Sequence, residues 1–86
     1  MTDVIELKGL GAKTATWLVG VGIPTRQDLE RVGPVDAYLA IQEAGHKVSL
    51  NLLWALQGAL MDIHWNEVPT SIKDRLRAQL HEATSS

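Results

Sequence analysis

The residues best placed for chemistry surround the first two glycines, in LKGLGAKTATWL, Leu7 to Leu18. Gly9-Leu10-Gly11 stands just ahead of a helical segment, where unpaired backbone N–H groups favour an anion. The amides near Gly9, Gly11 and Ala12 would be donors, Lys8 and Lys13 would add charge, and the Thr14 hydroxyl a further hydrogen bond. Contacts of this kind position a nucleic acid by its phosphates without reading its bases. The same Gly-Leu-Gly also makes a tight turn between two helices whose leucine plugs the core, and short glycine motifs often match by accident. A second basic cluster, Lys73, Arg75 and Arg77, suits phosphate contact or a plain solvated helix face, diluted by Asp74 and Glu82.

Other chemistries find less support. His46, His64 and His81 lie 18 and 17 residues apart, without the i, i+3 or i, i+4 spacing that presents two metal ligands on one helix. No metal and no cofactor is expected. No nucleophile elbow, paired carboxylates or Walker-type loop points to hydrolysis or phosphoryl transfer, and the absence of cysteine excludes thiolate chemistry and disulfides. His64-Trp65 reads as a helix-end histidine and a core-closing tryptophan, with a base-stacking platform as the functional alternative.

The 86 residues suffice for one small domain, and 45% hydrophobic content supports folding over most of the length. No apolar run reaches the roughly 18 residues of a membrane span, and the N-terminus lacks a basic, apolar leader. A cytoplasmic protein without membrane contact is the expectation. Eight Lys and Arg against ten Asp and Glu leave a net charge of −2, which weighs against strong autonomous DNA binding.

Five helices can be drawn to position these residues, and no stretch alternates as a strand does. The first runs from about Ala12 to Val21, with Ala12, Ala15, Leu18 and Val19 on one stripe, and stops at Gly22 ahead of Pro24. Thr25 as N-cap, with Asp28 three residues on, starts the second, which ends by Gly33. Pro34 sits in the first turn of the third, which runs to Gly45. Ser49 opens the fourth, apolar around nearly its whole circumference to about Ile63, with Gly58 permitting close approach of another backbone. The fifth follows Pro69, capped by Thr70 or Ser71, with Ile72, Leu76 and Leu80 on one stripe.

LKGLGAKTATWL aligns with LERVGPVDAYLA at a constant offset of 22 residues, matching Leu7 with Leu29, Leu10 with Val32, Gly11 with Gly33 and Ala15 with Ala37. In each copy a glycine turns the chain and an alanine one turn later lets two helices approach closely. This is the grammar of the helix-hairpin-helix. The second copy has Arg31 in place of Gly9, and Pro34 removes a donor, so only the first is equipped to hold a phosphate.

The motifs LKGLGAKTATWL, GIPTRQDLERVGPVDAYL, SLNLLWALQGAL and HWNEVP, in that order, resemble the C-terminal domain of the TfoX/Sxy family of bacterial competence regulators. The resemblance implies an all-α, compact bundle of about five short helices with tandem helix-hairpin-helix (SAM-like) organisation. Gly9, Gly11, Gly22 and Gly33 would serve its turns, and Leu50, Leu53, Leu56 and Trp65 its packing. It implies a regulatory, non-enzymatic role; longer members, in which the domain follows an N-terminal α/β domain, are associated with transcriptional activation of competence genes alongside the cyclic-AMP receptor protein.

Two mechanisms fit that role. The acidic balance and the degenerate second hairpin favour protein contacts, either with a transcription factor or as a homodimer through Leu52, Leu53, Leu56 and Leu60. The alternative is weak, sequence-nonspecific DNA binding by the first hairpin.

Overall fold

Local turn chemistry sets most of the helix ends. A computed structural model of the chain describes residues 3–7 and 9–84. It places α1 at Ala12–Gly20, α2 at Arg26–Val32, α3 at Pro34–Glu43, α4 at Leu50–Met61 and α5 at Thr70–Thr84, with 3-10 turns at Val4–Glu6 and Trp65–Glu67. No strand forms among the described residues; an isolated bridge joins Asp3 to Thr25, and the Val4 N–H donates to the Pro24 carbonyl at 3.0 Å. The fold is all-α, and no described helix is long and apolar enough to cross a membrane.

Three helices close with the same reciprocal pair of hydrogen bonds. After α1, Gly22 donates to Val19 and Ile23 to Leu18; after α3, Gly45 donates to Gln42 and His46 to Ile41; after α4, Asp62 donates to Ala59 and Ile63 to Gly58. This is the Schellman closure, in which a residue at the helix end adopts left-handed backbone. Asp62, at φ 61°, does so where the other two ends use glycine.

The start of α2 follows expectation: the Thr25 side chain accepts from the Asp28 N–H at 3.1 Å and donates to the Asp28 carboxylate at 2.8 Å. Two other starts differ. Ser49 holds the cap position of α4, but its hydroxyl makes no cap bond. Neither Thr70 nor Ser71 caps α5, because the helix already begins at Thr70 and the Pro69 carbonyl accepts from Ile72 and Lys73.

α4 is the axis of the core. Leu53 and Leu56 are fully buried, joined by Leu18 of α1, Leu29 of α2, Ile41 of α3 and Val4 ahead of α1. α3 packs beside it, and α5 lies against α3, burying Leu76. Gly58 is the predicted site of close approach: a Cβ there would lie 2.8 Å from the Ile63 carbonyl oxygen, so the chain folds back over the last turn of α4. A guanidinium secures the same end, Arg26 of α2 donating to the Leu60 carbonyl. On α1, Ala15 and Leu18 are buried as expected, whereas Ala12 and Val19 are exposed.

Candidate nucleic-acid interface

The first glycine pair shapes the start of α1. Gly9 takes φ +82°, and Gly11 holds the cap position in extended conformation. The Leu10 N–H is used inside the turn, donating to Leu7, and the first helical bond is donated by Ala15 to the Gly11 carbonyl. The N–H groups of Ala12, Lys13 and Thr14 precede that bond, and a glycine cap brings no side chain to satisfy them. Gly11, Ala12 and Lys13 are exposed, and nothing lies within 4 Å of where a Gly11 Cβ would be. α1 thus presents an open N-terminus where Thr25 closes that of α2. Leu10 is buried in the core, so the triplet is a corner and an amide-bearing edge at once.

The second corner is different. Pro34 occupies the first position of α3, and the surface cleft at Val32–Val35 is also lined by Gln79 and Ala83 of α5. Proline supplies no N–H there.

Packing brings aromatic and basic groups to the open end of α1. A Gly9 Cβ would lie 3.7 Å from the Ile63 carbonyl oxygen and 3.9 Å from the His64 Cα, which sets the chain just before Trp65 against the hairpin. Trp17 stacks on His46 with ring centres 4.6 Å apart and an interplanar angle of 19°. The Lys13 ammonium sits 5.2 Å from the Trp17 ring centre, a favourable cation–π placement. Thr14, Trp17, Lys47, Ser49, Asn51 and Trp65 share one open groove of about 270 Å³ floored by Leu52 and Ala55. No carboxylate lines it.

The remaining sequence-predicted residues fall elsewhere. Lys8 lies outside the described residues. Lys73 is half-buried, its ammonium 5.6 Å from the Trp54 ring centre, while Arg75 and Arg77 are exposed on α5, whose main packing partner is α3. The four leucines expected to mediate self-association do not form an outer face: Leu52, Leu53 and Leu56 are buried and Leu60 half-buried, because α4 packs these side chains into the core of its own domain. Leu50, expected in the packing, is exposed at the first turn of α4. Trp65, expected to close the core, is 41% exposed; Trp54 takes the buried place, and the left-handed turn at Asp62 carries Trp65 outward onto a 3-10 turn. Among the described residues, no group of three His, Asp or Glu side chains is gathered to hold a metal.

Sequence reasoning therefore reached the hairpin edge but missed Trp17, His46 and Lys47 as its neighbours. His46 follows Gly45 in a turn far along the chain, and no local pattern pairs it with Trp17. The one signal in the sequence is Trp65 itself, a tryptophan just beyond an apolar helix, where a stacking platform is one reading.

Comparison with known proteins decides the family. The family model described as the TfoX C-terminal domain matches residues 1–80. This chain belongs to the TfoX C-terminal domain family. Two solved structures resemble this TfoX C-terminal domain closely, both of Listeria monocytogenes proteins without a stated function. A triclinic crystal form of an uncharacterized protein is 29% identical with a TM-score of 0.85, covering 95% of this chain and 93% of that one. A tetragonal form of a protein of unknown function is 31% identical with a TM-score of 0.81, covering 93% and 98%. No protein of curated function matches the domain.

Proposed function

We propose that this TfoX C-terminal domain is a regulatory, non-enzymatic contact module that binds nucleic acid weakly through the phosphate backbone, in the competence setting that the sequence resemblance implies. The supporting observation is the uncapped start of α1, exposed and bordered by Lys13 and a carboxylate-free groove holding Lys47. Three successive amides at a helix start bind an anion by hydrogen bonding and by the helix dipole. Two lysines beside them neutralise adjoining phosphates. The net charge of −2 keeps the affinity low. Arg26 and Arg31 do not join in: Arg26 is engaged with Leu60 and Glu30, and Arg31 pairs with Asp28 at 2.7 Å.

Anisotropy of a fluorescent duplex across a salt series tests this reading. Binding is expected at low salt, falling with a log–log slope of about 0.9 per phosphate neutralised, and weakening in Lys13→Glu and Lys47→Glu. Absence of binding at low salt, or binding indifferent to salt, overturns it.

A protein partner is the second reading, favoured by a different surface. An open, largely apolar cleft of about 310 Å³ runs between the Val4–Glu6 turn and α1, bordered by Val19, which is 55% exposed, and by Thr16 and Pro24. Val19→Asp should abolish a protein contact made there and leave DNA binding intact.

A further inference from the structure

Trp65 is a large aromatic side chain, 41% exposed, in a groove that it shares with Thr14 in the first turn of α1. Among the described residues it takes part in neither ring stacking nor a cation–π contact, whereas Trp17 is engaged by both His46 and Lys13. Trp65 and Trp17 line one groove with Lys47, Thr14, Ser49 and Asn51. An apolar floor, a free indole, a lysine and neutral hydroxyl and carboxamide groups suit a nucleobase: the ring stacks, the polar groups meet the base edge, and the lysine meets the strand's phosphate.

We propose that this groove accepts an unstacked base, making single-stranded DNA the preferred ligand over duplex, with Trp65 as the stacking platform. The proposal rests on the phosphate-binding reading of the α1 N-terminus and specifies its ligand. In a duplex the bases are paired and stacked on one another, so a platform next to the phosphate site remains idle. In a single strand the base attached to an anchored phosphate is free to turn into the groove. A Cβ at Gly9 would lie within 4 Å of the Ile63–His64 backbone, which makes phosphate edge and platform neighbours. Stacking on an indole tolerates every base, and the one charged group lining the groove, Lys47, is left to the phosphate rather than to a base edge.

The test compares three fluorescent ligands at low salt by anisotropy: an oligothymidylate of about fifteen nucleotides, within the range that one small binding module spans, an abasic strand of equal length, and a duplex. The wild-type domain is expected to bind oligothymidylate roughly tenfold tighter than the abasic strand, as loss of one stacking aromatic implies. Trp65→Ala should reduce oligothymidylate to the abasic level without altering abasic binding, and Trp65→Phe should restore most of the difference; circular dichroism confirms that each variant is folded. Equal binding of the two strands by the wild type, or a base-dependent gain that survives Trp65→Ala, overturns the proposal. In either case salt-sensitive abasic binding lost in Lys13→Glu leaves the phosphate reading standing, whereas no binding to any of the three ligands overturns both.

Discussion

Replacing Gly58 with alanine sets helix propensity against packing at one atom. In the interior of an exposed helix the change would stabilise by about 0.5–1 kcal/mol, because glycine loses more backbone freedom on folding. In α4 the new methyl would lie 2.8 Å from the Ile63 carbonyl oxygen and 3.3 Å from the His64 carbonyl carbon and oxygen. The obstacle is backbone, so no rotamer change relieves it. Relief requires moving the turn at Asp62–His64, which is held by the Asp62 bond to Ala59 at 3.3 Å and the Ile63 bond to Gly58 at 2.9 Å. Overpacking of this kind costs about 1–3 kcal/mol, and subtracting the propensity gain leaves a net loss centred near ~1 kcal/mol. At this chain length a loss of about 1 kcal/mol lowers Tm by roughly 4–8 °C. Thermal unfolding followed by circular dichroism reads it directly. Gly20→Ala is the matched control, since nothing lies within 4 Å of its Cβ position, and it should leave stability unchanged or slightly raised. Displacement of the turn should also shift Trp65 fluorescence, because Trp65 follows the displaced residues. A Gly58→Ala domain as stable as the wild type would refute the close approach on which the placement of Trp65 depends.

Three further outcomes follow from the same turns and caps. Arg26→Met should cost about 1 kcal/mol in urea unfolding, a charged hydrogen bond to the Leu60 carbonyl discounted for the partial exposure of the side chain, while Glu30→Gln, which removes only the 3.5 Å exposed pair, should change little. Asp62→Gly should raise stability by about 0.5 kcal/mol, because φ 61° is cheaper for glycine, and a lower Tm would show that the aspartate holds the turn by some other means. Thr25→Ala should lose about 1–2 kcal/mol, removing the bond from the Asp28 N–H at a buried cap, and Thr25→Ser should recover most of it.

Much of the architecture was readable because its punctuation is local. Pro24, Pro34 and Pro69 restrict how a helix can begin or continue, Gly22 and Gly45 take the left-handed positions that end α1 and α3, and Thr25 with Asp28 closes α2 within four residues of chain. Asp62 was not readable in this way, since aspartate takes the left-handed turn only occasionally and its neighbours carry no glycine signal; the sequence pattern therefore ran α4 on to Ile63, two residues past its end at Met61. The hairpin edge at Gly11–Thr14 was legible from residue order alone. Its surroundings were not, because the Trp17–His46 stack, the Arg26 bond to Leu60 and the approach of the His64 backbone to Gly9 each join residues far apart in the chain.

The sequence by itself determined the helices, the doubled corner and the inequality of its two copies, since glycine, proline and capping residues act on φ, ψ and N–H groups within a few residues. Tertiary structure alone decided which apolar side chains were spare. Periodicity shows that α4 is apolar around nearly its whole circumference but not what covers it, and burial depends on neighbours whose docking is a long-range property: Leu52, Leu53 and Leu56 are enclosed, and Trp65 is left at the surface beside the open end of α1.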